Sequence, residues 1–469
     1  MRIKRLIVLI FALCVVPMAM AQKNRITEFT PSGLPQEMLE YLNQATSDKD
    51  RKTENARLMR DFGVRYGALD GSTQGRVTAI CNTVLKLKVR QHPDVTNFIS
   101  LFNTLAATGN SSNFDQWLGC IEYIQSRNKK IKDFTDFVEF SAGLATSRTL
   151  YASRSCTWQL QKDCAYRLAF EDNEIKVFVD KPVELYYSSD KDNGTIYGTK
   201  GVFHYFDNKW VGDGGRLNWD RTGIAPTVCW ASLSKYEAVV KFPKFVADSV
   251  QFTNTNYFSK PIYGRVEEAL SAKLEPEKYS FPKFRSYQKD FKMKDILPGV
   301  DYSGSFMMNG SKFITSDTKN PATLIFYRSG KPFITVNSVK FTITASRVVS
   351  ENAAVKIYID GDSICNNGIT VRYLAQEKQV SLINDSKRNY YSPYSNSYHN
   401  LDMYCESIVW KMNEDKLDFA MLGASGDQSY STFESNSYYS ERKFREIQGI
   451  DQLNPVIRVY RYMKGRGMV

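Results

Sequence analysis

Two neighbouring stretches decide the fold of the chain after residue 150: EIKVFVDKPVELYY (174–187) and KDNGTIYGTKGVFHYF (191–206). Apolar and polar side chains alternate in both, as they do in a β-strand that turns one face to a core. The first stretch predicts two strands separated by Asp180-Lys181-Pro182. The second contains Asn193-Gly194, the strongest short signal for a β-hairpin turn. We therefore expect antiparallel strands in this region.

A short pattern occurs twice in the same region. KWVGDGGRLNW (209–219) and KFVADSVQF (244–252) share Lys-aromatic-Val, a small residue and Asp, and IYG occurs at 196–198 and 262–264. The pattern predicts two copies of a strand–turn–strand unit rather than a catalytic fingerprint. The glycine-rich stretch 212–215 indicates a tight turn, because a phosphate-binding loop would be followed by Lys-Ser/Thr and a helix.

Before residue 150 the apolar residues recur with the period of a helix. They form five groups: Leu58, Met59 and Phe62; Val77, Ile80, Cys81, Val84 and Leu85; Phe98, Leu101, Phe102 and Leu105; Phe114, Trp117, Leu118, Ile121 and Ile124; Phe134, Phe137, Val138 and Leu144. Asn113 and Asp133 are predicted helix N-caps. The spacing predicts five or six helices in a bundle or a short helical solenoid.

Beyond the Pro- and Lys-rich stretch 274–289, short β-forming runs alternate with Asn-Gly, Asp-Gly and Ser-Gly-Lys-Pro turns. The fold class is therefore predicted to be multidomain α+β, with an N-terminal α-helical bundle or short solenoid followed by mainly antiparallel β domains of sandwich or jelly-roll type. The predicted division is a signal peptide at 1–21, a helical domain at 22–150, a β-rich domain with the repeated strand unit at 151–290, a β-sandwich domain at 291–445, and a tail or the start of a further module at 446–469.

Two resemblances accompany these patterns. The strand ADSVQF (247–252) followed by PIYGRVEE (261–268) resembles the strand repeats of the OstA/LptA family, whose β-jelly-roll proteins carry lipopolysaccharide. The chain from DYSGSF (301–306) through SYHNLDMYCESIVWKMNEDKLDF (397–419) to QGID (448–451) resembles large uncharacterised exported proteins of Bacteroidota. The first resemblance implies a lipid carrier, and the second implies an exported protein but no activity.

The first residues indicate export. Arg2, Lys4 and Arg5 precede an apolar run, residues 6–16, that is too short to span a bilayer, and Ala19-Met20-Ala21 suits a signal peptidase. We expect cleavage near Gln22 and a location in the periplasm or at the cell surface of a Gram-negative bacterium. The later sequence predicts no transmembrane span.

The formal net charge of +12 is spread among acidic residues, and three of its cations lie in the predicted signal peptide. The densest basic run, SRNKKIKDF (126–134), has a helical pattern and indicates a solvated helix end rather than a nucleic-acid site. We therefore expect no nucleic-acid partner. Weak attraction to an anionic membrane face or an acidic glycan stays open.

Seven cysteines remain after the predicted cleavage, too few and too scattered for a disulfide scaffold. Cys156 and Cys164 are a candidate disulfide pair between neighbouring strands, provided that their Cβ atoms approach closely enough. His92, His204 and His399 lie far apart in the sequence, and no cysteine pair has ligand spacing. We predict no metal site and no cofactor.

No motif indicates a catalytic residue. GASGD (423–427) lacks the spacing of a nucleophile elbow, and DGDSICNNG (360–368) has Ile364 where a calcium loop needs an oxygen ligand. Glu267 and Glu268 point to opposite faces of an extended chain, which suits no paired-carboxylate mechanism.

The candidate binding residues are aromatic. NYYSPYSNSYHNLDMYCE (389–406) and QSYSTFESNSYY (428–439) place tyrosines among Ser and Asn, a composition that suits an exposed platform for sugar rings or a protein partner. The alternative is a pair of ordered loops whose tyrosines cover the edge of the β domain. The predicted platform consists of Tyr390, Tyr391, Tyr394, Tyr398, Tyr430 and Phe433.

The sequence as a whole favours a non-catalytic exported cell-envelope protein with a structural or interaction role and an envelope protein, glycan or lipid as partner. One alternative is a periplasmic lipid, lipopolysaccharide or glycan carrier, and another is a hydrolase whose catalytic groups meet only in the folded chain. Val456, Ile457, Val459 and Tyr460 are predicted to form a strand that needs a partner surface, as in a piece of a longer chain.

Overall fold

The computed structural model describes residues 26–127, 130–384, 392–412, 414–420, 431–437, 439, 441, 444–445 and 455–468. The chain divides into two compact units. The first comprises the described residues up to Asn218, together with Ala231–Val250 and Glu267–Lys273. The second comprises Trp219–Trp230, Gln251–Val266 and the described residues from Leu274 onward. The predicted boundary at residue 150 thus falls inside the first unit, and the boundary at 290 inside the second.

Helices form the N-terminal part of the first unit. They are α1 (Leu34–Gln44), α2 (Lys49–Gly67), α3 (Gly71–Lys86), a π-helical turn (Gln91–Val95), α4 (Thr96–Ala107), α5 (Ser111–Arg127) and α6 (Ile131–Ser147). Asp48 and Asp70 cap α2 and α3, since their carboxylates accept hydrogen bonds from the first free backbone N–H groups of each helix. At α3 the hydrogen bond from the Thr73 hydroxyl, followed by that from the Thr73 N–H, lowers the pKa of Asp70.

The predicted helical region is confirmed, and nearly all the apolar residues of the predicted faces are buried. The two predicted N-caps are wrong. Asn110 provides the capping oxygen of α5 by accepting a hydrogen bond from the Asn113 N–H, at 3.0 Å. Asp133 lies in the first turn of α6, where an acidic side chain is favourable beside the positive end of the helix dipole.

Strands follow the helices without a linker. They are β1 (Thr149–Ala152), β2 (Cys156–Leu160), β3 (Arg167–Glu171), β4 (Glu174–Ser189), β5 (Asn193–His204), β6 (Lys209–Asp213), β7 (Arg216–Asn218), β8 (Cys229–Ser232), β9 (Lys235–Val239), β10 (Lys244–Asn254) and β11 (Ile262–Ala269). In the first unit, antiparallel pairing runs in the order β1–β2–β4–β5–β6–β9–β10. β3 pairs with the first half of β4.

The stretch 174–187 forms one strand, β4, and not the two predicted. Pro182 has no N–H to give to the ladder, and the register with β5 shifts between Val179 and Val183, so the strand continues through a bulge. The predicted hairpin is present, but its turn lies earlier, where Ser189 donates its N–H to the Asp192 carbonyl at 2.8 Å. Gly194 pairs with Tyr187, and a Cβ at Gly194 would collide with the Tyr187 ring.

The two stretches of the predicted repeat differ in conformation. In the first, the chain turns between β6 and β7 at Gly214 and Gly215, which have φ values of 72° and 120°. These values favour glycine and agree with the predicted tight turn. In the second, KFVADSVQF lies within the single strand β10, and Ser249 has a φ of 55°.

Helices and strands of the first unit pack against each other. Tyr123 of α5 packs on Phe170 of β3 with ring centroids 4.3 Å apart. Asn113 of α5 donates a hydrogen bond from Nδ2 to the Tyr166 carbonyl at 3.0 Å and accepts one from the Leu168 N–H at 2.9 Å.

From residue 283 onward the second unit contains antiparallel strands of 3 to 13 residues. They are β12 (Lys283–Ser286), β13 (Phe291–Leu297), β14 (Val300–Gly304), β15 (Met307–Asn309), β16 (Lys312–Ser316), β17 (Ala322–Arg328), β18 (Lys331–Ser338), β19 (Lys340–Ile343), β20 (Arg347–Ile359), β21 (Asp362–Leu374), β22 (Gln379–Ile383), β23 (Tyr394–Asn396), β24 (Leu401–Tyr404), β25 (Ser407–Lys411), β26 (Asp418–Ala420) and β27 (Thr432–Ser435). The molecule is therefore an α+β protein, as predicted.

Two long strands organise the second unit. The beginning of β20 pairs with β19 and its end with β18. Likewise, β21 pairs with β23 near its beginning and with β22 at its end. Alternate residues are buried along these strands, so one face of each supplies the core.

The C-terminal stretch forms a helix, α7 (Pro455–Gly465), and the predicted strand over Val456, Ile457, Val459 and Tyr460 is wrong. Apolar residues at 456, 459, 460 and 463 have the helical spacing i, i+3, i+4, i+7, and Pro455 suits the first position of a helix. None of the helices in the described parts of the chain is long and apolar enough to cross a bilayer.

Candidate binding cleft

One side of α6 forms the acidic wall of a cleft in the first unit. Phe137, Val138 and Leu144 face the core, and this fixes the orientation of the helix. Asp133 and Asp136 lie one helical turn apart on another side, and Glu139 extends the same row. Asp136 and Glu139 are exposed, and Asp133 is half-buried.

The aromatic wall comes from the turn that follows β5. The Tyr205 N–H donates to the Ile175 carbonyl at 3.0 Å, and the Asn208 N–H donates to the Tyr205 carbonyl at 3.2 Å. The Tyr205 ring packs on Phe140 of α6, with ring centroids 4.8 Å apart. Phe206 follows and lies beneath the guanidinium of Arg127, 4.7 Å from its ring centroid. These contacts fix the positions of both rings.

Between the walls lies a cavity of about 990 Å³, large enough for a ligand of several sugar units or a short peptide. Thr149 and Tyr151 of β1 also line the cavity. Polar and apolar groups contribute to the lining in similar measure. Such a surface fits a ligand that has both hydrogen-bonding groups and apolar faces.

Charge in the cleft is partly compensated. Lys132 Nζ lies 2.6 Å from Asp136 Oδ2, and this hydrogen bond raises the pKa of the lysine. Burial raises the pKa of the Tyr205 phenol, and the negative charges of Asp136 and Asp133 raise it further. The phenol therefore stays protonated at neutral pH and can donate a hydrogen bond into the cleft.

The three carboxylates of the cleft come from one element. A glycosidase places two carboxyl groups on either side of the scissile bond, whereas Asp133, Asp136 and Glu139 all come from one helix. The described residues that line the cleft include no serine, cysteine or histidine. No group of three or more His, Cys, Asp or Glu side chains elsewhere in the described residues could hold a metal ion.

The predicted aromatic platform is only partly described. Tyr390, Tyr391 and Tyr430 lie outside the described residues. Tyr398 and Phe433 are about half exposed, at 48% and 52%. The two tyrosine-rich segments are neighbours, because β24 pairs with both β23 and β27.

Tyr394 is not a surface residue. Its side chain is 1% exposed, and its hydroxyl donates to the Leu382 carbonyl at 3.1 Å. The residue begins the short strand β23, which turns its alternate side chains inward. The prediction of an exposed ring at Tyr394 is therefore wrong, and this residue belongs to the core.

The candidate disulfide is not formed, since Cys156 and Cys164 are both free thiols. Cys156 begins β2, and its Sγ lies 3.4 Å from the Val240 carbonyl oxygen. The extended strand carries the chain about 13 Å from Cys156 to Leu160 before the turn that contains Cys164. Burial raises the pKa of the Cys156 thiol to about 11, so the group behaves as a core side chain.

The cleft residues were not predicted from the sequence. Asp133 lies within the basic run 126–134, whose pattern predicts a solvated helix end, and Asp136 and Glu139 follow that run. Tyr205 and Phe206 end the predicted strand segment 191–206. The available signal was the three-residue spacing of the acids on a helix whose other face is rich in phenylalanine. That signal does not reveal which aromatic residues face the acids.

Comparisons with models of known protein families, with curated proteins and with solved structures found no match to this chain.

Proposed function

We propose that the protein is an exported, non-catalytic cell-envelope protein whose first unit binds an envelope glycan in the cleft between α6 and Tyr205-Phe206. One observation carries the proposal: a row of carboxylates on α6 and the aromatic rings of Tyr205 and Phe206 line the same cavity of about 990 Å³. Carboxylate oxygens accept hydrogen bonds from sugar hydroxyls, and aromatic rings cover the apolar C–H faces of a sugar.

Export and location belong to the proposal as well. They are supported by the signal-peptide pattern of residues 1–21 and by the resemblance to exported proteins of Bacteroidota. The resemblance of residues 247–268 to OstA/LptA repeats supports a place in the envelope in the same way.

A glycan fits the lining better than a lipid does. A lipid carrier needs a continuous apolar trough, but this cleft has three carboxylates and the cations Arg127 and Lys132 on its walls. A glycosidase would need a second carboxyl group from another element, and in the described part of the chain the residues that line the cleft outside α6 include no other carboxylate.

For the second unit we propose a two-layered β-sandwich. The support comes from β20 and β21, each of which changes partner along its length, as strands do at the corners of a sandwich. Register shifts in β20 between Ser350 and Val355 provide the bend.

Calorimetric titration with oligosaccharides released from a Gram-negative envelope tests the glycan proposal. Asp136→Asn and Glu139→Gln keep the size of each side chain and remove its charge. Because a hydrogen bond to a charged group contributes about 1.5–3 kcal/mol, we expect each variant to bind about 10- to 100-fold more weakly.

Glu54→Gln is the matched control, since Glu54 is an exposed carboxylate on α2 and does not line the cleft. It should bind like the wild type. Equal affinity in the wild type and both cleft variants, or no binding of any envelope oligosaccharide, would reject the proposal.

A further inference from the structure

Helix α7 carries its cations on one side, where Ile457 lies among them, and most of its apolar residues on the other side. Its basic residues Arg458, Arg461 and Lys464 recur every three positions and therefore lie along one side. Arg466 follows the helix, and residues 455–468 contain no Asp or Glu. The segment thus carries four cations and no side-chain carboxylate.

The other side of α7 is apolar and exposed. Val459, Tyr460 and Tyr462 are 57%, 49% and 59% exposed, and Met463 lies between them. Exposed apolar residues grouped on one element indicate an interaction surface. Two cations pack along this side: Arg466 lies 4.8 Å from the Tyr462 ring centroid and Lys464 lies 5.9 Å from that of Tyr460. In both pairs the charged group itself lies near the ring face, which is the geometry of a cation–π contact.

We propose that α7 binds an anionic membrane surface, with its valine and tyrosine side chains at the boundary between headgroups and acyl chains and its cations on lipid phosphates. An amphipathic helix with a basic polar side and aromatic residues on the apolar side has the composition that binds in this plane. Tyrosine in particular favours the interface, because its ring is apolar and its hydroxyl is polar.

The size of α7 favours a membrane over an acidic protein. The helix has 11 residues and is therefore about 16 Å long. One side of it covers far less than the roughly 800 Å² that each partner contributes to a stable protein interface. A bilayer needs no such area, because the attraction of each cation to anionic lipids adds to the burial of the apolar side. This site is separate from the glycan cleft and does not depend on it.

Vesicle flotation with the full chain tests the inference. We expect the protein to float with vesicles of equal parts phosphatidylcholine and phosphatidylglycerol, to stay unbound with phosphatidylcholine alone, and to dissociate as salt is raised. The triple variant Arg461→Gln, Lys464→Gln, Arg466→Gln should bind the anionic vesicles on the order of 100-fold more weakly, at about fivefold for each cation. Val459→Ser with Tyr460→Ser should also weaken binding, because less apolar surface enters the bilayer.

The matched control is the triple variant Lys49→Gln, Lys52→Gln, Arg57→Gln, which removes three exposed cations from α2. It should bind nearly as well as the wild type. Equal losses in the two triple variants would show that net charge alone drives binding and would overturn the inference. So would full binding by the α7 variant, or binding of soluble polyglutamate but not of anionic vesicles.

Discussion

The side chain of Asn113 closes the free edge of β3, and its removal should destabilise the first unit. Asn113 holds the strand through two hydrogen bonds, to the Tyr166 carbonyl and from the Leu168 N–H. The second edge of β3 pairs with β4, and on the free edge the Phe170 N–H also donates to Gln116 Oε1 at 3.1 Å. Leu168 itself is 4% exposed, and water therefore replaces the lost partner poorly.

The size of the effect follows from this geometry. Two hydrogen bonds contribute about 1 kcal/mol each, and a buried N–H left without a partner adds to the cost. Asn113→Ala should therefore lower the free energy of unfolding by about 2–3 kcal/mol. Asn113→Asp should lower the free energy of unfolding by at least as much. Its second carboxylate oxygen would face the Tyr166 carbonyl oxygen, and neither oxygen carries a proton to donate.

Urea unfolding followed by far-ultraviolet circular dichroism measures the effect, with amide exchange at Leu168 as the local readout. Asn97→Ala is the control for the intrinsic gain of Asn→Ala in a helix, since Asn97 is exposed in α4. If Asn113→Ala and Asn97→Ala differ by less than about 0.5 kcal/mol, the side chain does not hold the strand and the reasoning fails.

Two further predictions concern packing and pH. Gly201→Ala should destabilise the protein by about 1–3 kcal/mol in thermal unfolding, because its Cβ would collide with the Val211 carbonyl and the Trp210 ring. The control is Gly75→Ala on α3, where the added Cβ meets no atom, and it should stabilise the protein by up to about 1 kcal/mol. Burial raises the pKa of Tyr236 from 10.0 to about 12. The folded state therefore favours the neutral phenol, and the stability this contributes is complete below pH 10 and is lost as pH rises to about 12. Between pH 10 and 12 the free energy of unfolding of Tyr236→Phe should fall by up to about 2 kcal/mol less than that of the wild type. An identical pH dependence of the free energy of unfolding in both proteins would contradict the raised pKa of Tyr236.

The elements that the sequence predicted are those set by local periodicity. In α5 the apolar positions Phe114, Trp117, Leu118 and Ile121 recur at helical spacing, and all four are buried. In β5 the hairpin was predicted correctly, although the turn lies at residues 189–192 instead of at Asn193-Gly194. The glycine of an Asn-Gly pair indicates a turn only where the backbone needs a positive φ. Gly194 has a different role, because the Tyr187 ring packs so closely on it that a Cβ would collide.

The features that were missed depend on tertiary structure. The acids of the cleft and Tyr205 are separated by about seventy residues of chain, and only the packing of α6 on the turn after β5 brings them together. Tyr394 was assigned to an exposed platform from the composition of its neighbours, but burial is decided by strand direction in β23. For α7 the helical spacing was present in the sequence, and the valine-rich run was assigned to a strand because β-branched residues favour one.

The crystal structure of the protein with a bound envelope oligosaccharide tests the central claim most directly. We predict sugar density in the cleft, with a ring against Tyr205 or Phe206 and hydroxyl groups within hydrogen-bonding distance of Asp136 and Glu139. Density on the exposed surface around Tyr398 and Phe433, with the cleft between α6 and Tyr205-Phe206 unoccupied, would contradict the account.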